Sequence, residues 1–399
     1  YGNFDYYITA PAEMFVFGSG DLQNPSDVLT GEQIKRLERA SNSDQTVMIV
    51  SAGETSSPSI CPVKSGHLTW HFKMDNTREV AWAAGKGMIW DAAKVNVPSG
   101  KKVLAMSAYP VESDGKDAWG RSTEYLKAGM EFYSKQYFEF PWNTAVSSAG
   151  ITDGMEYPGM IFDFYKEKGA RLWFLIAHEI GHNWYPHIVG SNERRYMWQD
   201  ESINTFINHL ATEEFNKGEY LNAPEFQKKT FFGLKDYEQF MQSRDPLMIP
   251  PDAVTTGQHN QYYGRGAYGL DLLRNVIIGK ERFDSAFLKY TQAWAFKHPT
   301  PYDFFNCMNN ASGEDLGWFW QGWFFTNWKL DQAVKEVKYV EDNPAKGAYI
   351  TVENLDKMIM PVIIRVEQEN GQVETKTLPV EMWQRGAGFT IFYPSKSKI

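Results

Sequence analysis

The stretch ARLWFLIAHEIGHNW, residues 170–184, decides how the chain is read. Leu172, Leu175 and Ile176 recur at three- and four-residue steps, so the spacing predicts a helix with an apolar stripe. Residues four apart share a helix face. His178 and His182 can therefore aim their imidazoles at one point, with Glu179 beside it. Such a pair supplies two of the three protein ligands of a catalytic zinc site, whose fourth position is left to water. The five residues HEIGH alone do not separate a metal site from a solvated helix turn. The apolar segment before them argues for burial, and buried His and Glu side chains need partners.

The third ligand has to come from another element. Eighteen residues, Asn183 through Asp200, separate His182 from Glu201, which is expected to open the next helix, ESINTFINHLATEEF. Ile203, Phe206, Ile207 and Leu210 form a stripe that would pack this helix inward, with its first turn near the histidines. His178, His182 and Glu201 then make a two-histidine, one-glutamate set of the kind found in hydrolytic zinc centres.

Outward from this region the pattern changes twice. From Tyr1 to about Val111 the chain reads as β structure, in segments such as YYITAPAEMFVFGSG, LTWHFKMD and KKVLAMSAYP separated by Pro, Gly, Asn and Ser clusters. From Glu112 to Trp328 the period is mostly helical, with two strands, TAVSSAG and GMIFDFY, before the motif helix. Further helices fit AYGLDLLRNVI and RFDSAFLKYTQAWAF, and the aromatic run Trp318–Phe325 reads as core. From Lys329 the alternation returns, and Asn370-Gly371 signals a two-residue hairpin turn. Three parts are expected, 1–111, 112–328 and 329–399, in an α+β multidomain chain.

Composition bounds the function. Of 399 residues, 43% are hydrophobic and 15% aromatic, which is the make-up of a folding chain rather than a disordered one. A net charge of -9 with no basic block argues against nucleic acid as a partner. No apolar run approaches the roughly 20 residues that span a bilayer. The chain begins at Tyr1, already in strand-like alternation, so a natural start upstream is expected. Cys61 and Cys307 exclude a disulfide framework and are expected to be unpaired thiols. His67, His71, His187 and His209 are read as structural.

With Glu201 in place, the chain resembles the gluzincin aminopeptidases of the aminopeptidase N and leukotriene A-4 hydrolase family, which carry the same pentad, eighteen residues and a glutamate. Their Gly-x-Met-Glu-Asn segment has a counterpart in Gly154, Met155 and Glu156, with Tyr157 and Pro158 where the Asn stands. Their Tyr-x-Lys-Gly segment has one in Tyr263, Arg265 and Gly266, 62 residues past Glu201 for the tyrosine. An acidic residue that members often place seven after the zinc glutamate is Asn208 here. IVGSNERRYMWQDE and LPVEMW resemble one bacterial branch, whose members are often exported, which implies the periplasm or secretion.

The resemblance implies the end of a saddle-like β domain, a thermolysin-like catalytic domain and the start of a small β domain, truncated at both ends. It implies a zinc aminopeptidase cleaving N-terminal residues from peptides with a metal-activated water. His178, His182 and Glu201 would hold one zinc ion, and Glu179 would be the general base. Tyr263 would donate to the oxyanion, with Tyr262 as the alternative hydroxyl, and Glu156, with Gly154 and Met155, would receive the free N-terminus. A thermolysin-like endopeptidase, and from another class a catalytically impaired interaction scaffold, are the competing readings.

Overall fold

The computed structural model describes residues 1–223, 245–254 and 259–399. Eight strands precede Val111: β1 (Gly2–Pro11), β2 (Met14–Gly18), β3 (Asp21–Leu22), β4 (Val47–Val50), β5 (His67–Thr77), β6 (Trp82–Lys86), β7 (Met88–Val95) and β8 (Val103–Pro110). The alternation read in the sequence is the alternation of burial along β1 and β5, which pair antiparallel with Ile8 opposite Trp70. Three further strands follow, β9 (Thr144–Gly150), β10 (Met155–Tyr157) and β11 (Met160–Phe164). They join β8, β7 and β4 in a six-stranded sheet of order β10-β11-β9-β8-β7-β4. This sheet runs across Val111, so the two parts expected on either side of it share one sheet.

Sheet position explains its strand chemistry. The pairs β8–β9 and β9–β11 are parallel and interior, and Ala105, Ala145, Val146 and Ile161 on them are buried. The helix Ser122–Gln136 covers part of this sheet and the motif helix Gly169–Gly181 packs beside it, with Tyr125, Leu126, Leu172 and Ile176 in one continuous core. That core extends through the helices Met197–Glu214, Gln261–Leu272, Lys280–Trp294 and Pro301–Ser312. It also takes in the aromatic run, where Phe319, Trp320, Trp323 and Phe324 are buried among Trp198, Phe304 and Phe305.

Two helix starts differ from expectation. The helix carrying Glu201 begins four residues earlier, at Met197, because buried Trp198 anchors its first turn against Phe304, Phe305 and Phe324. The helix expected from Ala267 reaches back to Gln261, so Tyr263 lies on a helix rather than in a glycine-rich loop. Its Gly266 is there for close approach, since a Cβ would come within 2.0 Å of Ser202 Oγ.

The last part holds β12 (Gln332–Tyr339), β13 (Ala348–Asn354), β14 (Val362–Glu367), β15 (Val373–Leu378) and β16 (Gly388–Tyr393) around a small core of Ile350, Val352, Ile364 and Trp383. The expected hairpin joins β14 to β15, but its turn is one residue longer than the Asn-Gly pair suggests. Gln368 N donates to Gln372 O at 2.8 Å, leaving Glu369, Asn370 and Gly371 as the turn, with Gly371 at φ +84°. Cys61 and Cys307 are free thiols, and no described helix is long and apolar enough to cross a membrane.

A buried polar row crosses the large sheet. Asp91, Ser107 and Ser147 are register partners on β7, β8 and β9. Tyr109 donates to Asp91 Oδ2 at 2.8 Å, and the Thr123 hydroxyl lies 2.6 Å from Asp91 Oδ1. Burial nevertheless dominates and pushes the Asp91 carboxyl up to about 7, against the two hydrogen bonds. An acid whose folded value exceeds its unfolded one keeps its proton in the native state while the unfolded chain has lost it, so its contribution to stability falls as pH rises between the two values. Native Asp91 should therefore cost stability progressively from about pH 4 to about pH 7. Denaturant unfolding of wild type and Asp91→Asn across that window checks this: the stability of wild type relative to the variant should decline with rising pH and level off above pH 7. A difference that stays flat removes the proposed penalty.

Candidate active site

The motif helix ends formally at Gly181, but His182 keeps helical dihedrals, φ -59° and ψ -19°, as its cap. The four-residue repeat is thereby preserved, and the rings of His178 and His182 both face the Glu201 helix. His178 Nε2 lies 3.2 Å from His182 Nε2 and 3.2 Å from Glu201 Oε2, and His182 Nε2 lies 3.6 Å from the same oxygen. Ligand atoms bound at about 2.0–2.1 Å by a tetrahedral ion are separated by about 3.3–3.4 Å, so the donor set fits one small cation. Each of the three residues is buried. His182 Nδ1 is 2.9 Å from Tyr185 O, and donation there leaves Nε2 bare towards the other two donors.

A pair of asparagines bonds the two helices to each other. Asn204 Nδ2 donates to His178 O at 2.6 Å, and Asn208 Nδ2 donates to Phe174 O at 3.0 Å. Asn208, where the resemblance led to an expected acid, is thus an uncharged tether between the motif helix and the Glu201 helix. Two asparagines four apart, on the same helix face as Glu201, were the sequence signal for it.

Glu179 is buried beside the cluster, and burial holds its carboxyl well above the usual range, with Asp163, Glu156 and Glu201 reinforcing and His182 opposing. Its carboxylate presses on the entry to β10. A Cβ on Gly154 would lie 2.3 Å from Glu179 Oε1, and Gly154 has φ +145°, so this position needs glycine on both counts. Two residues on, Glu156 pairs with Ile161 and faces the same cleft, within 4.8 Å of Glu179 and His182 atoms and, in a second grouping, of Glu193 and Asp200.

Tyr263, in the first turn of its helix, stacks near His178 at 5.9 Å between ring centres and directs its hydroxyl to Glu201. Burial first, then that carboxylate, raise the hydroxyl's pKa far above its ordinary value. Tyr262 points elsewhere, donating to Ile249 O at 2.7 Å. Arg265 does not reach the cleft; it is buried and donates to Thr326 O at 2.8 Å. Tyr157 also stays out of the cleft, with its ring edge-on to Phe162. His187 and His209 do not line the cleft either.

The cleft has a volume of about 970 Å³ and is walled by Met155, Phe174, Leu175, Thr205, His259 and the residues above. Arg171 also lines it, held by Asp153 at 2.9 and 3.0 Å. The sequence reading did not single out Glu193, Asp200 or Thr205.

Residues 129–323 match the profile of the Peptidase family M1 domain. That match takes in just under half of the chain, including His178, Glu179, His182, Glu201 and Tyr263. Leucyl aminopeptidase of Saccharolobus solfataricus is 21% identical over 67% of this chain and 36% of its own length. Aminopeptidase M1-D of Oryza sativa subsp. japonica is 23% identical over 54% of this chain and 26% of its own. Tricorn protease-interacting factor F2 of Thermoplasma volcanium is 24% identical over 37% of this chain and 19% of its own. The chain therefore spans well under half the length of these relatives. In fold, it is similar to Legionella pneumophila aminopeptidase A, solved in complex with aspartic acid. The TM-score is 0.66 at 14% identity, covering 99% of this chain and 43% of that one. The fold is shared at a level where sequence has largely diverged.

The asparagine tether is open to a direct test. Asn204→Ala removes a short buried donor from His178 O and should lower stability by about 1–3 kcal/mol. Denaturant unfolding of the metal-free protein measures it. Stability equal to wild type would mean that packing alone holds the two helices.

Proposed function

We propose that this chain is a zinc-dependent aminopeptidase, with His178, His182 and Glu201 holding one zinc ion. The observation that carries the reading is the convergence of those three donors with Glu156 standing in the same cleft. Similarity to proteins named aminopeptidases supports it. When bound, zinc would acidify a water and polarise the scissile carbonyl.

The protein's own side chains would do the rest. Glu179 is adjacent to the donor set without belonging to it, so its carboxylate can take the water's proton and return it to the leaving nitrogen. Burial, reinforced by the carboxylates around it, makes it a stronger base than an exposed glutamate. Tyr263 would move its hydroxyl from Glu201 to the oxygen that gains charge, donating one hydrogen bond. Glu156 would pair with the substrate's ammonium group, and its place on an edge strand fixes how far that group sits from the cleaved bond. We keep the three-part division at residues 111 and 328 as part of this proposal, with the first two parts sharing the large sheet.

Free and N-acetylated aminoacyl reporters, assayed with chelator and after zinc is restored, test the function. Free substrates should be cleaved, acetylated ones spared, and activity lost and regained with the metal. Equal cleavage of acetylated peptides would make the protein an endopeptidase. In the same assay Glu156→Gln should raise KM by about 10- to 100-fold, the loss of one charge-assisted contact, with zinc content unchanged. A variant that keeps wild-type efficiency removes Glu156 from substrate binding.

A further inference from the structure

The Glu201 helix brings a second carboxylate to the metal donors. Asp200, immediately before Glu201, is only 5% exposed, and its Oδ1 lies 2.7 Å from His182 Nδ1. That nitrogen is on the opposite side of the ring from the Nε2 that faces His178 and Glu201. The Nδ1–H bond itself is aligned with Tyr185 O at 2.9 Å, while Asp200 Oδ1 stands off that axis and makes no aligned hydrogen bond. The backbone carbonyl thus takes the proton, and the carboxylate contributes charge.

The cost of that charge needs a reason. Among the described residues no Lys or Arg pairs with Asp200, and its close polar neighbours in the cleft, Glu156 and Glu193, carry the same sign. A buried carboxylate in such company is unfavourable unless a cation compensates it. His182 is the cationic or metal-bearing group within reach. Asn204 and Asn208, which also tie this helix to the motif helix, carry no charge.

We propose that Asp200 is a positioning residue for His182, whose charge polarises the imidazole and strengthens its hold on a metal ion. The inference rests on the zinc reading above. Carboxylates behind metal-binding histidines raise the basicity of the ring, and losing one typically weakens metal affinity by about 10- to 100-fold.

The test is zinc affinity by chelator competition for wild type, Asp200→Asn and Asp200→Ser, with thermal unfolding of each protein free of zinc. Both variants should bind zinc about 10- to 100-fold more weakly. Zinc-free Asp200→Asn should unfold at no lower temperature than wild type, because it removes a buried charge next to Glu201. Zinc affinity equal to wild type in either variant overturns the proposal. So does a zinc-free Asp200→Asn protein less stable than wild type, which would mark a structural role. A raised KM for free aminoacyl substrates with zinc affinity intact would assign Asp200 to the substrate instead, and also overturns it. Failure of the zinc reading looks different: wild type would bind no zinc, or Glu201→Gln would bind it as tightly as wild type.

Discussion

The closeness of two helices sets everything else at the site. Gly181 lies where the Glu201 helix crosses the motif helix, and a methyl group there would come within 2.2 Å of Asn204 Oδ1. Without that side chain, Asn204 can reach His178 O, and Glu201, less than one turn earlier on the same helix, comes within 3.2 Å of His178 Nε2. The glycine inside HEIGH is therefore as much a part of the geometry as the histidines. Gly266 does the same for the helix that carries Tyr263, letting it rest on Ser202, the residue after Glu201. Each functional side chain is placed by a contact one residue or one turn away from it.

Close packing concentrates charge. Glu156, Glu179, Asp200 and Glu201 surround two imidazoles in a largely buried cleft, and burial is the first cause of the raised carboxyls of Glu156, Glu179 and Asp200. Glu201 departs from them. Burial would raise it as well, but the His178 hydrogen bond and the charge of His182 bring it below its ordinary value. The group with the strongest claim to be a ligand is thus the one most ready to be ionised. Such an arrangement stores repulsion that a divalent cation relieves, which couples metal binding to the stability of the two helices.

The sequence made some features legible and hid others for definable reasons. Strands β9 and β13 coincide with TAVSSAG and AYITVEN because alternation and turn residues bound them locally. The four-residue histidine spacing was readable because it depends only on helical geometry. Helix starts were less so. Trp198 lengthens the Glu201 helix through rings more than 100 residues away in sequence, and Gly266, just before Ala267, is a site of close approach inside its helix. Asp200 was hidden because an acid beside Glu201 looks like any helix N-terminal acid. Its meaning comes from where His182 turns its far nitrogen.

The position of Glu156 follows from the motif helix itself. Asn183, the residue after His182, accepts from Gly159 N at 2.8 Å through Oδ1 and donates to Tyr157 O at 3.3 Å through Nδ2. One side chain adjacent to His182 therefore clamps the turn that joins β10 to β11. The replacement of the family's Asn by Tyr157 and Pro158 leaves this clamp intact, since it uses the backbone of Tyr157 and Gly159 and the Tyr157 ring packs on Phe162. Under the proposed aminopeptidase reading, the distance between Glu156 and the His178, His182 and Glu201 donors would set the specificity, and here it is fixed by backbone hydrogen bonds of the β10–β11 turn. Changes in side chain at 157 and 158 should then alter the cleft's surroundings without altering its measure.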